Sequence, residues 1–407
     1  MIKRTIKIAA PLLPLLALAL YVGVSGDFPL DDDWAYALSV KRLLAGGGFV
    51  IPDWASPSLV WHTAWGALFS LAGGFSHVTL RLSTLALAAL FVLSMRLYRG
   101  EDSALPALAA ALSPLFVPLS FTFMTDVPYL AWSMLALALY LAAWRADKAW
   151  LWLAGGAAAA LACLVRQTGI FIPAGLLFFL WLKGRLGLRR ALLAAALPAA
   201  AAAGHAFWFN FIHGSNWAHS AAVNAGTLSR LASPLRFALE FYLRSAAALM
   251  YLGLFTLPFA LRALGGGARP GKKDILIAGL ALLPLLALKG AMPYYPDIIR
   301  ETGLGVPSLG FAYEQLYKAS GLLGSPWFWA ALTLAAFWAL LFWTANRRAV
   351  AAAFSDDGVL LAGLAAAPQL AAAASFAVFF DRYLLAALPA AAMPAIEASL
   401  RLAPAPG

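Results

Sequence analysis

The chain has 407 residues, 63% of them hydrophobic and 12% charged, with a formal net charge of +11. Soluble domains carry about 25% charged residues, and no soluble fold of this length could bury so much apolar side chain, so the excess faces lipid. The basic balance is therefore read as the loop asymmetry that orients membrane helices, not as a nucleic-acid footprint. Cys163 is the only cysteine, which excludes an internal disulfide.

Met-Ile-Lys-Arg-Thr-Ile-Lys opens the chain, and Ile8 to Val24 form an apolar run of spanning length. That run exceeds the core of a cleavable signal, so an uncleaved first helix is expected. Further apolar stretches between polar breaks bring the predicted spans to twelve: 8–25, 78–98, 103–122, 127–144, 149–165, 169–182, 191–210, 236–261, 275–290, 326–344, 358–379 and 383–400. The span 169–182 is short, and one long helix over 149–182 is the alternative. It would put Lys183, Arg185, Arg189 and Arg190 on the opposite side from every other basic loop. The expected fold class is an all-α, polytopic membrane protein forming a single membrane domain over 1–407.

With a cytoplasmic N-terminus, the inner turns carry Arg96 and Arg99, Arg145 and Lys148, Lys183 to Arg190, Arg262 to Lys273, and Arg347 and Arg348. This is the positive-inside pattern. Both termini are then cytoplasmic, and the long outer segments are 26–77, 211–235 and 291–325. Residues 33–45 start with a carboxylate and end at Gly46-Gly47-Gly48, which predicts a helix lying along the interface. His62 to Leu71 is too short to span and reads as a second one. Trp34, Trp54, Trp61, Trp65 and Trp217 suit the headgroup level. No internal repeat is found, and the Ala-rich stretches read as close-packing helix faces.

Carboxylates are scarce, so their placement is informative. Asp27, Asp31, Asp32 and Asp33 follow the first helix, Asp53 comes next, and Asp126 lies in the turn Phe-Met-Thr-Asp-Val-Pro-Tyr. Asp33 alone would cap a helix, so capping leaves the adjacent carboxylates unexplained. For Asp126 the structural alternative is an Asx turn before Pro128. Ionised groups near bilayer depth are expensive and mark function. The cations predicted to face the same side are Arg81, Arg166, Arg244, Arg300 and Arg382, and arginine grips phosphate bidentately. His205, His213 and His219 match no compact zinc spacing, whereas the acidic cluster has the oxygen donors that a divalent cation such as Mg²⁺ or Mn²⁺ takes. No phosphate-binding Gly-rich loop and no dinucleotide fingerprint occur.

These residues, in this order, resemble the polytopic glycosyltransferases of the GT-C superfamily that use polyprenyl-phosphate sugars, such as protein mannosyltransferases and lipid A aminoarabinose transferases. The resemblance is carried by Asp32-Asp33 after the first helix, the interfacial helix ending in Gly, and Pro57 leading into an aromatic-rich helix. Leu80-Arg81-Leu82-Ser83, Phe123-Met124-Thr125-Asp126-Val127-Pro128, and Phe380-Asp381-Arg382-Tyr383-Leu384-Leu385 before Pro389 complete it. It covers the first 145 residues and 378–390; between them it rests on helix count alone. Unlike many such proteins, these 407 residues hold no separate soluble domain.

Nucleotide sugars are cytoplasmic while the carboxylates and arginines are predicted to face outward, so the donor must be delivered across the membrane. The expected activity is transfer of a sugar from a polyprenyl-phosphate donor to a hydroxyl of a lipid, glycan or protein acceptor, on the extracytoplasmic side of a bacterial inner membrane. Asp32 or Asp33 is the candidate general base, with Asp126 orienting the sugar or the base. Arg382 or Arg166 is the candidate for carrying leaving-group charge. Asp31, Asp53, His62, Arg81, Arg166, Arg382 and Tyr383 are the candidate substrate-binding residues. The resemblance favours single displacement with inversion over the alternative, a two-step retaining reaction in which one carboxylate attacks first; no organic cofactor is expected. A transporter or flippase of a lipid-linked sugar is the rival reading.

Overall fold

The computed structural model describes residues 12–30, 32–53, 55, 58–100, 104–213, 229, 232–288, 290–292, 294, 325–376 and 379–403. Asp31, Trp54, Pro57, Trp217, His219, Asp297, Arg300 and Glu301 lie outside them. The described residues are helical, with no strand. Among the described residues, seven helices are long and apolar enough to cross a membrane: His77–Arg99, Asp126–Ala146, Leu188–His213, Pro234–Arg262, Pro326–Ala345, Asp357–Ser375 and Asp381–Leu402. Leu13–Val22, Ala149–Cys163 and Gln167–Leu182 are shorter apolar helices.

Chain contacts divide the protein into two compact units. The first comprises residues 1–112, 116–222 and 364–366; the second comprises 113–115, 223–363 and 367–407.

In the first unit, α1 (Leu13–Val22) is followed by α2 (Asp33–Leu44), α3 (Val60–Gly73) and α4 (His77–Arg99). Helix α2 stops where Gly46 and Gly48 take φ of +75° and +77°, a conformation that an L side chain resists. Helix α4 starts at Ser76, whose hydroxyl accepts the Thr79 N–H at 3.0 Å.

The predicted span 103–122 is not continuous. Helix α5 (Ala104–Ala111) and helix α6 (Phe116–Ser120) are separated by a turn at Ser113-Pro114. Proline has no N–H to bond back along the helix and its ring crowds the preceding turn, so an apolar run that reads as one span is cut here.

Helix α7 (Asp126–Ala146) is the most enclosed of the long helices: 72% of its apolar window is buried, against 22% for Leu188–His213. Helix α8 (Ala149–Cys163) ends before Arg166. A 3₁₀ turn (Gln167–Ile170) then leads into α9 (Phe171–Leu182), so 149–182 is two helices and not one. Helix α10 (Leu188–Phe207) continues as a π turn (Trp208–His213), extending the predicted 191–210 at both ends.

Small residues let backbones meet here. A Cβ on Gly156 of α8 would stand 2.8 Å from the Leu193 carbonyl oxygen and 3.0 Å from that of Ala194 on α10. Tyr140 of α7 donates its hydroxyl to the same Ala194 carbonyl at 2.7 Å.

The second unit contains α11 (Pro234–Arg262), α12 (Lys272–Leu288), α13 (Pro326–Ala345), α14 (Arg347–Ala353), α15 (Asp357–Ser375), a 3₁₀ turn (Asp381–Ala387) and α16 (Leu388–Leu402). Helices α11 and α13 touch where a Cβ on Gly253 would come within 2.6 Å of the Ala336 carbonyl oxygen. Ala260, Ala263, Ala339 and Phe342 form a core between them. Buried Asn346 fastens the α11–α12 connection: its Oδ1 accepts the Ala268 N–H at 2.8 Å. Arg347 pairs with Asp274 at 2.6 Å.

Candidate functional site

Asp32 and Asp33 begin α2, but neither side chain caps it. Asp33 is 1% exposed. Its Oδ1 accepts the Leu30 N–H at 2.7 Å and its Oδ2 accepts the Phe123 N–H at 3.1 Å. The alternative in which Asp33 merely caps the helix does not hold: the carboxylate reaches to a loop and to a turn 90 residues away. Asp32 is half-buried, and its side chain makes no cap hydrogen bond to α2.

The turn that Asp33 reaches runs from Phe123 into α7. His62, on α3, donates from Nε2 to the Phe123 carbonyl at 2.9 Å, because a carbonyl can only accept. Its ring stacks on the Phe123 ring with centroids 3.9 Å apart. Nδ1 is buried with no hydrogen-bond partner among the described residues. Burial pushes the imidazole down to about 4; the Phe123 carbonyl opposes this and the charge of Arg166 adds to it. His62 is neutral at physiological pH.

Asp126 is the first residue of α7, and its side chain is 1% exposed. It does not form the Asx turn of the structural alternative; it pairs with Arg166 Nη2 at 2.7 Å. Arg166 also donates from Nε to Thr125 Oγ1 at 2.9 Å. The segment before Arg166 is fixed to the start of α3: Trp61 N–H donates to the Leu164 carbonyl at 3.0 Å, and the Ser58 hydroxyl to the Val165 carbonyl at 3.3 Å.

Arg81, one turn into α4, is buried and donates to the carbonyls of Gly26 and Phe28, with its guanidinium 4.7 Å over the Phe28 ring. It thereby holds the 26–30 segment whose Leu30 N–H meets Asp33.

The first unit thus brings Asp33, His62, Asp126 and Arg166 together around one turn, with Arg81 linked through the 26–30 segment. Asp53 is exposed and contributes nothing to this network. Asp31 lies outside the described residues. Arg382 and Tyr383 belong to the second unit, where Arg382 is buried with its guanidinium 4.9 Å over Phe380. Arg244, in the same unit, donates to the carbonyls of Ala374 and Phe376 at the end of α15 and pairs with Glu240 at 3.2 Å. Among the described residues, no three His, Cys, Asp or Glu side chains gather as a metal site would require.

Sequence reasoning missed Thr125 and the Phe123 peptide. The only signal was their place beside Asp126, since a backbone group used as an anchor leaves no mark in residue type.

The class this architecture defines is an all-helical integral membrane protein carrying a buried acid–arginine cluster at a helix turn. Residues 68–208 match the family model described as dolichyl-phosphate-mannose-protein mannosyltransferase, which supports glycosyltransferase activity and runs from the end of α3 through the whole of α10. No curated protein matches the chain. Among solved structures, the chain is similar to the crystal structure of ArnT from Cupriavidus metallidurans bound to undecaprenyl phosphate. The two are 17% identical, with a TM-score of 0.44, and the alignment covers 97% of this chain and 76% of that one.

Proposed function

We propose that this protein is a membrane glycosyltransferase that moves a sugar from a polyprenyl-phosphate donor to an acceptor hydroxyl at the extracytoplasmic face. The observation that carries this reading is the convergence of acids and an arginine that are far apart in sequence. Asp33, Asp126 and Arg166 come from three separate segments and meet at the turn 123–126, inside the stretch that matches the mannosyltransferase family.

Of the two candidate bases, Asp32 is the better one. Both oxygens of Asp33 already accept backbone N–H groups, and these bonds hold its lone pairs away from a reacting hydroxyl. Asp32 is half-buried at the start of the same helix. In the displacement, the acceptor oxygen bonds to the anomeric carbon as the bond from that carbon to the phosphate oxygen breaks. The hydroxyl proton passes to Asp32, and polyprenyl phosphate leaves. One displacement inverts the configuration. Arg166 stabilises the charge growing on the leaving phosphate, and Asp126 fixes the guanidinium for that task.

The test is transfer or hydrolysis of labelled polyprenyl-phosphate sugars by the purified protein, beside Asp32→Asn and Asp33→Asn. Turnover abolished in Asp32→Asn with folding intact supports the assignment. The acidic limb of the pH–rate profile should survive in Asp33→Asn. Binding of these lipids without cleavage across a broad acceptor panel would favour the transporter, and no binding would refute the donor assignment.

A further inference from the structure

Phe123 is held at both ends of its peptide unit and on its ring. Its N–H is taken by Asp33 and its carbonyl by His62, and both of those side chains are 1% exposed. Its ring lies on the His62 imidazole at an interplanar angle of 22°. Gly66 of α3 leaves the ring no slack, since a Cβ there would stand 2.6 Å from Phe123 Cζ. Two and three residues further on, Thr125 and Asp126 hold Arg166. The hold also dictates a tautomer: Nε2 carries the proton, and the bare Nδ1 is buried with no hydrogen-bond partner among the described residues.

A buried histidine that only satisfied the core would be expected to bond at whichever nitrogen suited packing. This one spends its single donor on the peptide leading into the turn, opposite a carboxylate that takes the other side of the same residue.

We propose that His62 and Asp33 are positioning residues that act through the Phe123 peptide to set where the turn 123–126 holds the Asp126–Arg166 pair. Neither touches substrate. The kinetic consequence rests on the glycosyltransferase reading; the hold on the turn does not.

The experiment uses full-length protein in detergent micelles, as wild type, His62→Phe, His62→Gln, Arg166→Lys and the His62→Phe/Arg166→Lys double variant. Glutamine places an amide N–H about where imidazole Nε2 stands, whereas phenylalanine keeps the ring stack and loses the donor. The first readout is hydrogen–deuterium exchange of the peptide covering 121–126. His62→Phe should exchange at least about tenfold faster than wild type, His62→Gln should stay close to wild type, and 190–205 should be unaffected. Unchanged exchange in His62→Phe, or equal acceleration in His62→Gln, overturns the hold. If the phenylalanine variant fails to fold, His62→Asn replaces it, because its amide stops short of the Phe123 carbonyl.

The second readout is transfer from the same set of labelled polyprenyl-phosphate sugars. His62→Phe should lower kcat about 10- to 100-fold at nearly constant KM. His62→Gln should recover most of it, and His62→Phe should add little to Arg166→Lys. Losses that multiply in the double variant overturn the positioning role. A wild type that transfers no sugar refutes the glycosyltransferase reading, and the exchange result still decides the hold.

Discussion

Acid should weaken the first unit through His62. Burial lowers this imidazole from 6.5 to about 4, so between those pH values the unfolded chain binds a proton that the folded chain refuses. Stability therefore rises with pH across this window: the contribution of His62 is complete above about 6.5 and is lost as pH falls toward 4. At 1.36 kcal/mol per unit, the loss is about 2 kcal/mol at pH 5 and about 3 kcal/mol at pH 4. Cys163 offers the assay, being buried and the only thiol in the chain. Its reaction with dithiodipyridine, which proceeds in acid, reports opening of the first unit and not the second. Denaturant curves at pH 7.5 and pH 5 would be followed this way for wild type and His62→Gln, in the same micelles. The wild type should lose about 2 kcal/mol more than the variant over that interval, whatever the carboxylates contribute to both. Equal losses would refute the argument that the bare nitrogen resists protonation.

Asp126→Asn should destabilise the first unit by about 2–4 kcal/mol, below the limit for a fully buried pair because Arg166 retains 19% side-chain exposure; Asp126→Asn/Arg166→Met should recover part of this in the same thiol assay. Gly156→Ala should cost about 1–3 kcal/mol, because backbone carbonyls of α10 stand where the methyl would go and cannot rotate away. Infrared analysis should show a weaker Tyr140–Ala194 hydrogen bond in that variant. Sidedness is testable at exposed positions: in a Cys163→Ala background, Asp53→Cys should react with an impermeant thiol reagent added outside cells, and Arg348→Cys only after lysis. Asp126 is too deeply enclosed for such a probe.

Much of the helical plan is legible from hydrophobicity alone. Runs such as 78–98 and 127–144 reappear within a few residues as α4 and α7, because a predominantly apolar stretch of spanning length leaves the backbone few ways to satisfy its polar groups in lipid. The break at Pro114 was visible in principle, but an apolar run hides it when hydropathy is averaged over the window. The site was legible as a list of scarce charges, and Asp33, Asp126 and Arg166 do converge. Their division of labour was not. Whether a carboxylate meets a proton donor from a substrate or from its own backbone depends on contacts 90 residues distant, which local sequence does not encode. His62 shows the same limit: its type advertises chemistry, while its partner, a main-chain carbonyl, could have belonged to any residue.

The Asp126–Arg166 pair also constrains the order in which the chain can be assembled. Thr125 and Arg166 are 41 residues apart, with α7 and α8 lying between them. When α7 enters the membrane during synthesis, Asp126 has no arginine to meet, and it stays without one until the whole of α8 has followed. The nascent chain must therefore keep a carboxylate hydrated beside the helix that ends up the most enclosed of the long ones. Arrival of Arg166 closes that interval, so the same ion pair that shapes the turn in the finished protein marks the point in biosynthesis at which α7 can leave lipid and join its neighbours.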